Sequence, residues 1–319
     1  MVRPPTTLPQ GKRSSYPAGM RAFDDFDAWG EAVSGASLRL VCDAVEVPRW
    51  TLGMLELGEV VLQFAAEGGG NICYGANVHT GPILFLPLTH AAEHVVNGAS
   101  LDGDSLLAIP RGADFCICVR RVAHAWCSIA LPPGVVVPEA TSASRRVTCP
   151  PGGAQALATL VRRIAANLAD RPPGSFAHRA AGSELLAAAV ASLPKPSPSP
   201  AAMGRPRLDR AAIIRRAMEA IDESPTLLSA ADLSRAAGVT PRTLQRSFQE
   251  TFGMAPRRYL ACRELHHVRR LLSRALDPGV TVADVLARRG IWEFGRFAGR
   301  YRRHFGEVPS ETLRRRTRR

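Results

Sequence analysis

Leu233, Ala237, Gly238, Leu244, Phe248, Phe252, Gly253 and Pro256 return as Val285, Arg289, Gly290, Phe297, Tyr301, Phe305, Gly306 and Pro309, at an offset of 52 residues up to the glycine and 53 after it. A unit is therefore duplicated, with one extra residue in the turn of its second copy. Each copy predicts a short helix, a tight turn at Gly238 or Gly290, and a second helix. Within that second helix Leu244, Phe248 and Phe252, like Phe297, Tyr301 and Phe305, recur every fourth residue. That spacing stacks large apolar groups on one face. The opposite face is rich in arginine in both copies, so each helix has a core side and a cationic side.

Charge follows the same division. The chain has 319 residues, enough for two or three domains, and a net charge of +13. Residues 1–200 hold 16 Lys+Arg against 16 Asp+Glu, whereas residues 201–319 hold 25 arginines, no lysine and 12 acids; the whole excess, 25 − 12 = 13, lies in the duplicated region. A GC-rich genome explains why lysine is confined to Lys12 and Lys195, but not why one half is neutral. Arginine suits phosphate because its planar fork donates two parallel hydrogen bonds and stays charged. A basic, helical, duplicated module points to double-stranded DNA.

Before this region the chain reads as β structure. Met1 to residue 22 is proline-rich and polar and is expected to be a disordered tail. A β-rich domain is expected over 23–135, opening on a capped short helix within Phe23–Trp29, with Asp24 or Asp25 at its start. Leu38–Cys42, Val60–Phe64, Ile83–Leu86, Ser105–Ile109 and Phe115–Val119 are short apolar runs bounded by turn residues, within about eight such runs in all. They predict a β-sandwich or small barrel whose mouth can hold one small ligand, with hairpin turns at Asp102-Gly103 and Pro110-Arg111-Gly112. Gly68-Gly69-Gly70 lacks the Lys and Ser/Thr of a phosphate-binding loop and reads as a strand connection. A helical pair follows over 152–193, with Leu157, Leu160, Val161, Ile164 and Leu168 on one stripe and Leu185, Leu186, Val190 and Leu193 on another. Those stripes serve either their own domain's core or a homodimer. Residues 194–208, rich in Pro and Ser, read as a linker, and 209–319 as the DNA-binding domain. The fold class is α+β in two domains.

Chemistry beyond binding finds little support. His79, His90, His94 and His124 contain one i, i+4 pair but no spacing that closes a metal shell, and no nucleophile or acid pair stands out. No catalytic residue, metal or cofactor is expected. Seven cysteines without CxxC spacing read as buried thiols. The chain has no run of 18 apolar residues and no leader-like start, so a cytoplasmic protein away from the membrane is expected.

The duplicated region is punctuated by caps: Asp209, Ser229, Thr240 with Pro241 behind it, Thr281 and Ser310. Arg242, Gln245, Arg246 and Gln249 form the outer face of the helix Pro241–Phe252, and Arg257–Ala275 is a long joining helix. Thr240-Pro241-Arg242-Thr243-Leu244-Gln245-Arg246-Ser247-Phe248, Phe252-Gly253-Met254-Ala255-Pro256, Gly290-Ile291-Trp292 and Phe305-Gly306 with Pro309-Ser310-Glu311 resemble the DNA-binding domain of the AraC/XylS family. The N-terminal half is similar in outline to that family's cupin-like sensors. The resemblance implies a transcriptional regulator with two helix-turn-helix units entering successive major grooves. It places base contacts on Arg242, Gln245 and Arg246. Their counterparts Gly295, Ala298 and Gly299 cannot reach a base edge with a polar group. Backbone contacts then fall to Thr240, Gln249, Arg296, Arg300, Arg302 and Arg303. Operator DNA, RNA polymerase and an unidentified effector are the implied partners. The alternatives are a cupin-type metal enzyme anchored to DNA and a non-specific architectural protein.

Overall fold

The computed structural model describes residues 20–23, 26–43, 50–119, 122–137, 140, 142–168, 171–194, 209–224, 228–277 and 279–316. Residues 1–19 of the expected tail, residues 195–208 of the expected linker, and Asp24 and Asp25 lie outside them. The β half comprises β1 (Arg21–Phe23), β2 (Ala36–Cys42), β3 (Trp50–Leu57), β4 (Val60–Glu67), β5 (Asn71–Asn77), β6 (Ile83–Pro87), β7 (Val95–Val96), β8 (Ala99–Ser100), β9 (Ser105–Ile109), β10 (Asp114–Val119), β11 (His124–Ala130) and β12 (Arg145–Thr148). They form a seven-stranded sheet, β1-β3-β4-β11-β6-β9-β12, and a five-stranded sheet, β2-β5-β10-β7-β8. Arg21 and Ala22, which fall in the expected tail, are part of β1, which pairs antiparallel with β3.

Burial explains why the strongest apolar runs do not alternate. In β6, Ile83 and Phe85 belong to the cluster between the sheets, while Leu84 and Leu86 belong to the cluster on the far side. A strand covered on both faces reads as continuously apolar. The cover is supplied by α2 (Gly153–Leu168) and α3 (Phe176–Ala191), whose Leu157, Leu160, Val161, Ile164, Leu168 and Leu185, with Leu193 just beyond α3, join Leu62, Leu84 and Ile129 in one core. Most of both stripes therefore serves their own domain, leaving Phe176 and Val190 as the exposed large apolar groups of the pair. The two helices cross the sheet closely: a Cβ on Gly182 would lie 1.8 Å from the Leu57 carbonyl oxygen. Helix α3 starts at Phe176, capped by Ser175, which accepts from His178 N.

The turns at Asp102-Gly103 and Pro110-Gly112 do not make hairpins. The first leads from β8 to β9 and the second from β9 to β10, and each crosses between sheets. Turn chemistry specifies a reversal of direction but not which sheet receives the next strand. Strand β12 lies within residues 132–152, a stretch rich in Pro and Gly, and is held by its register with β9.

Helix α1 (Phe26–Ala32) closes one end of the sandwich. The helical region comprises α4 (Arg210–Glu223), α5 (Ala230–Ala236), α6 (Pro241–Phe252), α7 (Pro256–Arg274), α8 (Val282–Arg288), α9 (Phe294–Phe305) and α10 (Pro309–Arg316). Local signals set these ends. Asp209 accepts from Ala212 N and Thr240 from Thr243 N, and Ser229/Asp232 and Thr281/Asp284 form reciprocal capping boxes. Gly253 and Gly306 end the equivalent helices α6 and α9 at φ 67° and 73°, where only glycine is unstrained. The last helix starts at Pro309 rather than after Ser310. Each unit has its own core: Leu233, Leu244, Phe248 and Phe252 in the first, Val285, Leu286, Phe297 and Tyr301 in the second. Helix α7 gives Tyr259 and Cys262 to the first core and Leu265, Val268 and Leu272 to the second, which makes it a rigid tie.

Candidate DNA interface and a cavity between the sheets

The two halves do not stand apart. Val41, Ile72, Tyr74, Cys116 and Cys118 of the five-stranded sheet are buried in the same cluster as Ile213, Phe248, Phe252 and Tyr259. Four arginines of the basic half face acids of the β half: Arg215 with Asp114 at 4.0 Å, Arg258 with Asp43 through Nε at 3.0 Å and Nη2 at 3.1 Å, Arg270 with Asp27 at 3.1 Å, and Arg274 with Glu31. Arg289 is held to Glu264 of α7. These arginines answer to the protein's own acids, which charge counting alone could not separate from a phosphate-binding set. Buried His266 of α7 sits against β2, its Nε2 3.0 Å from both Cys42 N and Cys42 O, and its ring 5.5 Å from that of Phe26. Because Asp43 is largely buried and the Arg258 fork binds it with both nitrogens, Arg258→Ala is expected to cost about 1–3 kcal/mol. Chemical denaturation checks this, and an unchanged midpoint would show the pair to be solvent-screened.

What remains exposed is the leading end of each reading helix. Arg242, Gln245, Arg246 and Gln249 are exposed on α6, whereas Thr251 and Phe252 at its far end are buried against the sheet. Arg246 donates to Glu250 at 2.7 Å, one turn on. Thr240 is exposed, but its hydroxyl already caps Thr243 N and meets Thr243 Oγ1 at 2.9 Å. On α9, Arg296, Arg300, Arg302 and Arg303 are exposed; Arg296 donates to Glu293 at 2.7 Å and Arg300 lies over the Phe297 ring. Gly295 has open space around it. Sequence reasoning missed Trp292 and Phe294, which are 73% and 37% exposed at the start of α9. Trp292, five residues before Phe297, lies off the apolar period that Phe297, Tyr301 and Phe305 set, whereas Phe294, three before Phe297, lies on it and gave no such signal.

A second feature lies inside the sandwich. Alternate residues of facing strands, such as Ile83 and Phe85 of β6 and Phe115, Ile117 and Val119 of β10, line a cavity of about 60 Å³. One wall is polar. Glu67 is buried there, accepting from Trp126 Nε1 and Asn71 Nδ2, with His124 Nε2 3.7 Å from its Oε2. Burial pushes the Glu67 carboxyl up to about 7, against the lowering pull of the Trp126 and Asn71 hydrogen bonds. Burial likewise drives His124 down to about 4 and His94, whose ring meets it edge-on at 4.9 Å, down to about 3. His124 Nδ1 donates to Val122 O, so its Nε2 is the acceptor that faces Glu67. His79 and His90 do not line the cavity, but the His90 carbonyl accepts from His94 Nδ1 and the His90 ring helps to hold His94 and His124 down. Among the described residues no cluster of three or more His, Cys, Asp or Glu is placed to hold a metal ion. The described cysteines are all free thiols, and burial raises Cys73, Cys116, Cys127 and Cys149, which leaves them poor nucleophiles. No helix among the described residues is long and apolar enough to cross a membrane.

Known proteins match the same region. A family model described as a helix-turn-helix domain covers residues 233–315. Over 97 residues the chain is 38% identical to the probable thc operon regulatory protein of Rhodococcus erythropolis, covering 30% of this chain and 29% of that protein. Over 87 residues it is 40% identical to the XylDLEGF operon transcriptional activator 1 of Pseudomonas putida, covering 26% and 25%. The match thus spans less than a third of these two relatives' own length. Among solved structures, a probable AraC family transcriptional regulator from Rhodopseudomonas palustris is 32% identical over 33% of this chain and 96% of its own, with a TM-score of 0.29. ToxT from Vibrio cholerae is 9% identical over 88% of this chain and 98% of its own, also with a TM-score of 0.29. The duplicated helical units, the caps that start them and these matches fall in the same stretch, so in its C-terminal region the chain is similar to the helix-turn-helix regulators of the AraC/XylS family.

Proposed function

We propose that this chain is a transcription regulator that reads operator DNA through α6, grips it through α9, and is switched by a small molecule bound between its sheets. The observation that carries this reading is the orientation of the two reading helices. Their cationic leading ends are exposed while the far end of α6 packs on the β half, and α7 ties both units into one body. Arg242 and Arg246 suit guanine and Gln245 suits adenine. Thr240, Gln249, Arg296, Arg300, Arg302 and Arg303 suit phosphates, while Trp292 and Phe294 offer an apolar surface for a thymine methyl. The units would meet successive major grooves about 34 Å apart.

The cavity has a short route to this machinery. Asn71 is in register with Cys42 across β5 and β2, and the Cys42 N–H donates to His266 on α7. A ligand that shifts the polar wall would therefore act on the joining helix through one strand. The relatives' names, as operon activators, support RNA polymerase as a second partner. A homodimer through α2 and α3 would rest on Phe176 and Val190.

Residues 209–319 alone are expected to bind DNA, with each phosphate-neutralising arginine adding about 0.9 to the salt slope. A competition assay at fixed salt, operator against random duplex, decides the reading. Salt-insensitive binding would remove it, and equal affinity for both duplexes would favour an architectural protein.

A further inference from the structure

Three polar groups of the cavity wall, the Glu67 carboxylate, the Nε2 of His124 and the Oδ1 of Asn71, are acceptors, beside the hydroxyls of Ser34 and Ser128 and the thiol of Cys73, and Asn71 Oδ1, buried in a residue only 4% exposed, has no hydrogen-bond partner. A buried carbonyl oxygen left unmatched calls for a donor. Among the described residues no arginine or lysine lines the cavity, so no side chain there supplies the positive charge that a buried carboxylate ordinarily finds. Most of the rest of the wall is apolar and aromatic, with Trp29 from α1, Phe85 and Trp126 from one sheet and Phe115 from the other. Such rings favour an apolar body and also attract a cation across their faces. The volume is several times the 10–15 Å³ or so that one water needs by the same measure, which suits a molecule of about one ring.

We infer that the cavity binds a small apolar amine, its ammonium donating to Glu67 and Asn71 and its ring packed among Trp29, Phe85, Phe115 and Trp126. This rests on the reading of the β half as a ligand sensor and names the chemistry of its ligand. The raised carboxyl of Glu67 fits a site whose counter-charge arrives with the ligand, because an ammonium at hydrogen-bond distance restores the carboxylate form.

Thermal unfolding of the full chain in the presence of benzylamine, benzyl alcohol, benzoate or toluene tests the inference. Benzylamine at about a hundredfold excess over its Kd should raise Tm by several degrees. Benzyl alcohol should bind more weakly, and benzoate and toluene should leave Tm unchanged. Glu67→Gln keeps the shape and removes the charge, and should weaken benzylamine binding about tenfold or more. Should that variant fail to fold, Ile117→Phe fills the cavity from the other sheet and should abolish the benzylamine shift. An equal or larger shift from benzoate, benzyl alcohol or toluene, or undiminished benzylamine binding by Glu67→Gln, overturns the amine assignment while leaving a ligand cavity in place. No shift from any of the four overturns the assignment and withdraws support from the sensor reading; DNA recognition, tested by competition, is untouched by either result.

Discussion

Alanine at Arg242, Gln245 and Arg246 together is expected to abolish most sequence preference, lowering operator affinity toward the non-specific level, by about a thousandfold or more. Each good bidentate contact is worth about five- to hundredfold in discrimination against the wrong base. The fold should survive, since all three side chains are exposed and the core face of α6 is Leu244, Phe248 and Phe252. Arg246 has the most to reorganise: it must leave Glu250 to reach a base, so Glu250→Gln should change its contribution without touching DNA itself. Alanine at Arg296 or Arg300 should instead weaken binding to every sequence by a similar factor and lower the salt slope by about one. Trp292→Ala should relax preference at one thymine only. Binding selection on randomised duplexes separates these outcomes. Two information-rich blocks one helical turn apart, with the second collapsing in Arg296→Ala, would show that the second unit reads bases through arginine and would sink this division of labour.

Acid is expected to destabilise the protein steeply between pH 6.5 and 5. Burial holds His94 and His266 down to about 3 and His124 to about 4, against an ordinary 6.5, so in this window each is neutral when folded and takes up a proton on unfolding. Their stabilisation is present above pH 6.5 and is lost as pH falls. Glu67 has the opposite sign: held up near 7 against an ordinary 4.5, it is protonated when folded and releases its proton on unfolding. Near pH 5.5 about three protons are taken up and about one released, a slope of about 2.5 kcal/mol per pH unit. His267 and His304, both lowered chiefly by burial, act in the same sense as the other histidines. Urea unfolding at half-unit steps of pH measures this. Glu67→Gln should steepen the slope by about one proton's worth, and a flat profile would mean that these histidines are charged or solvated in the folded protein. Because His266 lies between β2 and α7 with Arg269 and Arg270 nearby, its protonation should also loosen the contact between the halves.

The sequence by itself determined the duplicated helical region, because everything that specifies it is local. Capping residues act within three positions, the Leu244-Phe248-Phe252 stripe within two turns, and the glycines at 238, 253, 290 and 306 adopt positive φ where a Cβ would be strained. Strands β2, β4, β6, β9 and β10 were legible as apolar runs, and the outward arginines of α6 and α9 were legible by subtraction from the core face. Strands β3, β5 and β11 were not: Gly53 and Gly75 interrupt the first two, and β11 opens on His124, whose partner Glu67 lies far back along the chain. Only the tertiary structure decided that the turns after β8 and β9 cross between sheets, and that the helical pair covers the seven-stranded sheet instead of lying open. It also decided that the basic half is docked, with Arg258 on Asp43 and His266 on Cys42, residues 215 and 224 positions apart. Such contacts carry no periodic signal, since an arginine bound for a buried aspartate and one bound for a phosphate look the same in a list. The cavity belongs to this class most of all: Glu67, Asn71, His124 and Trp126 share one wall only because β4, β5 and β11 bring them together, and no spacing in the chain foretells it.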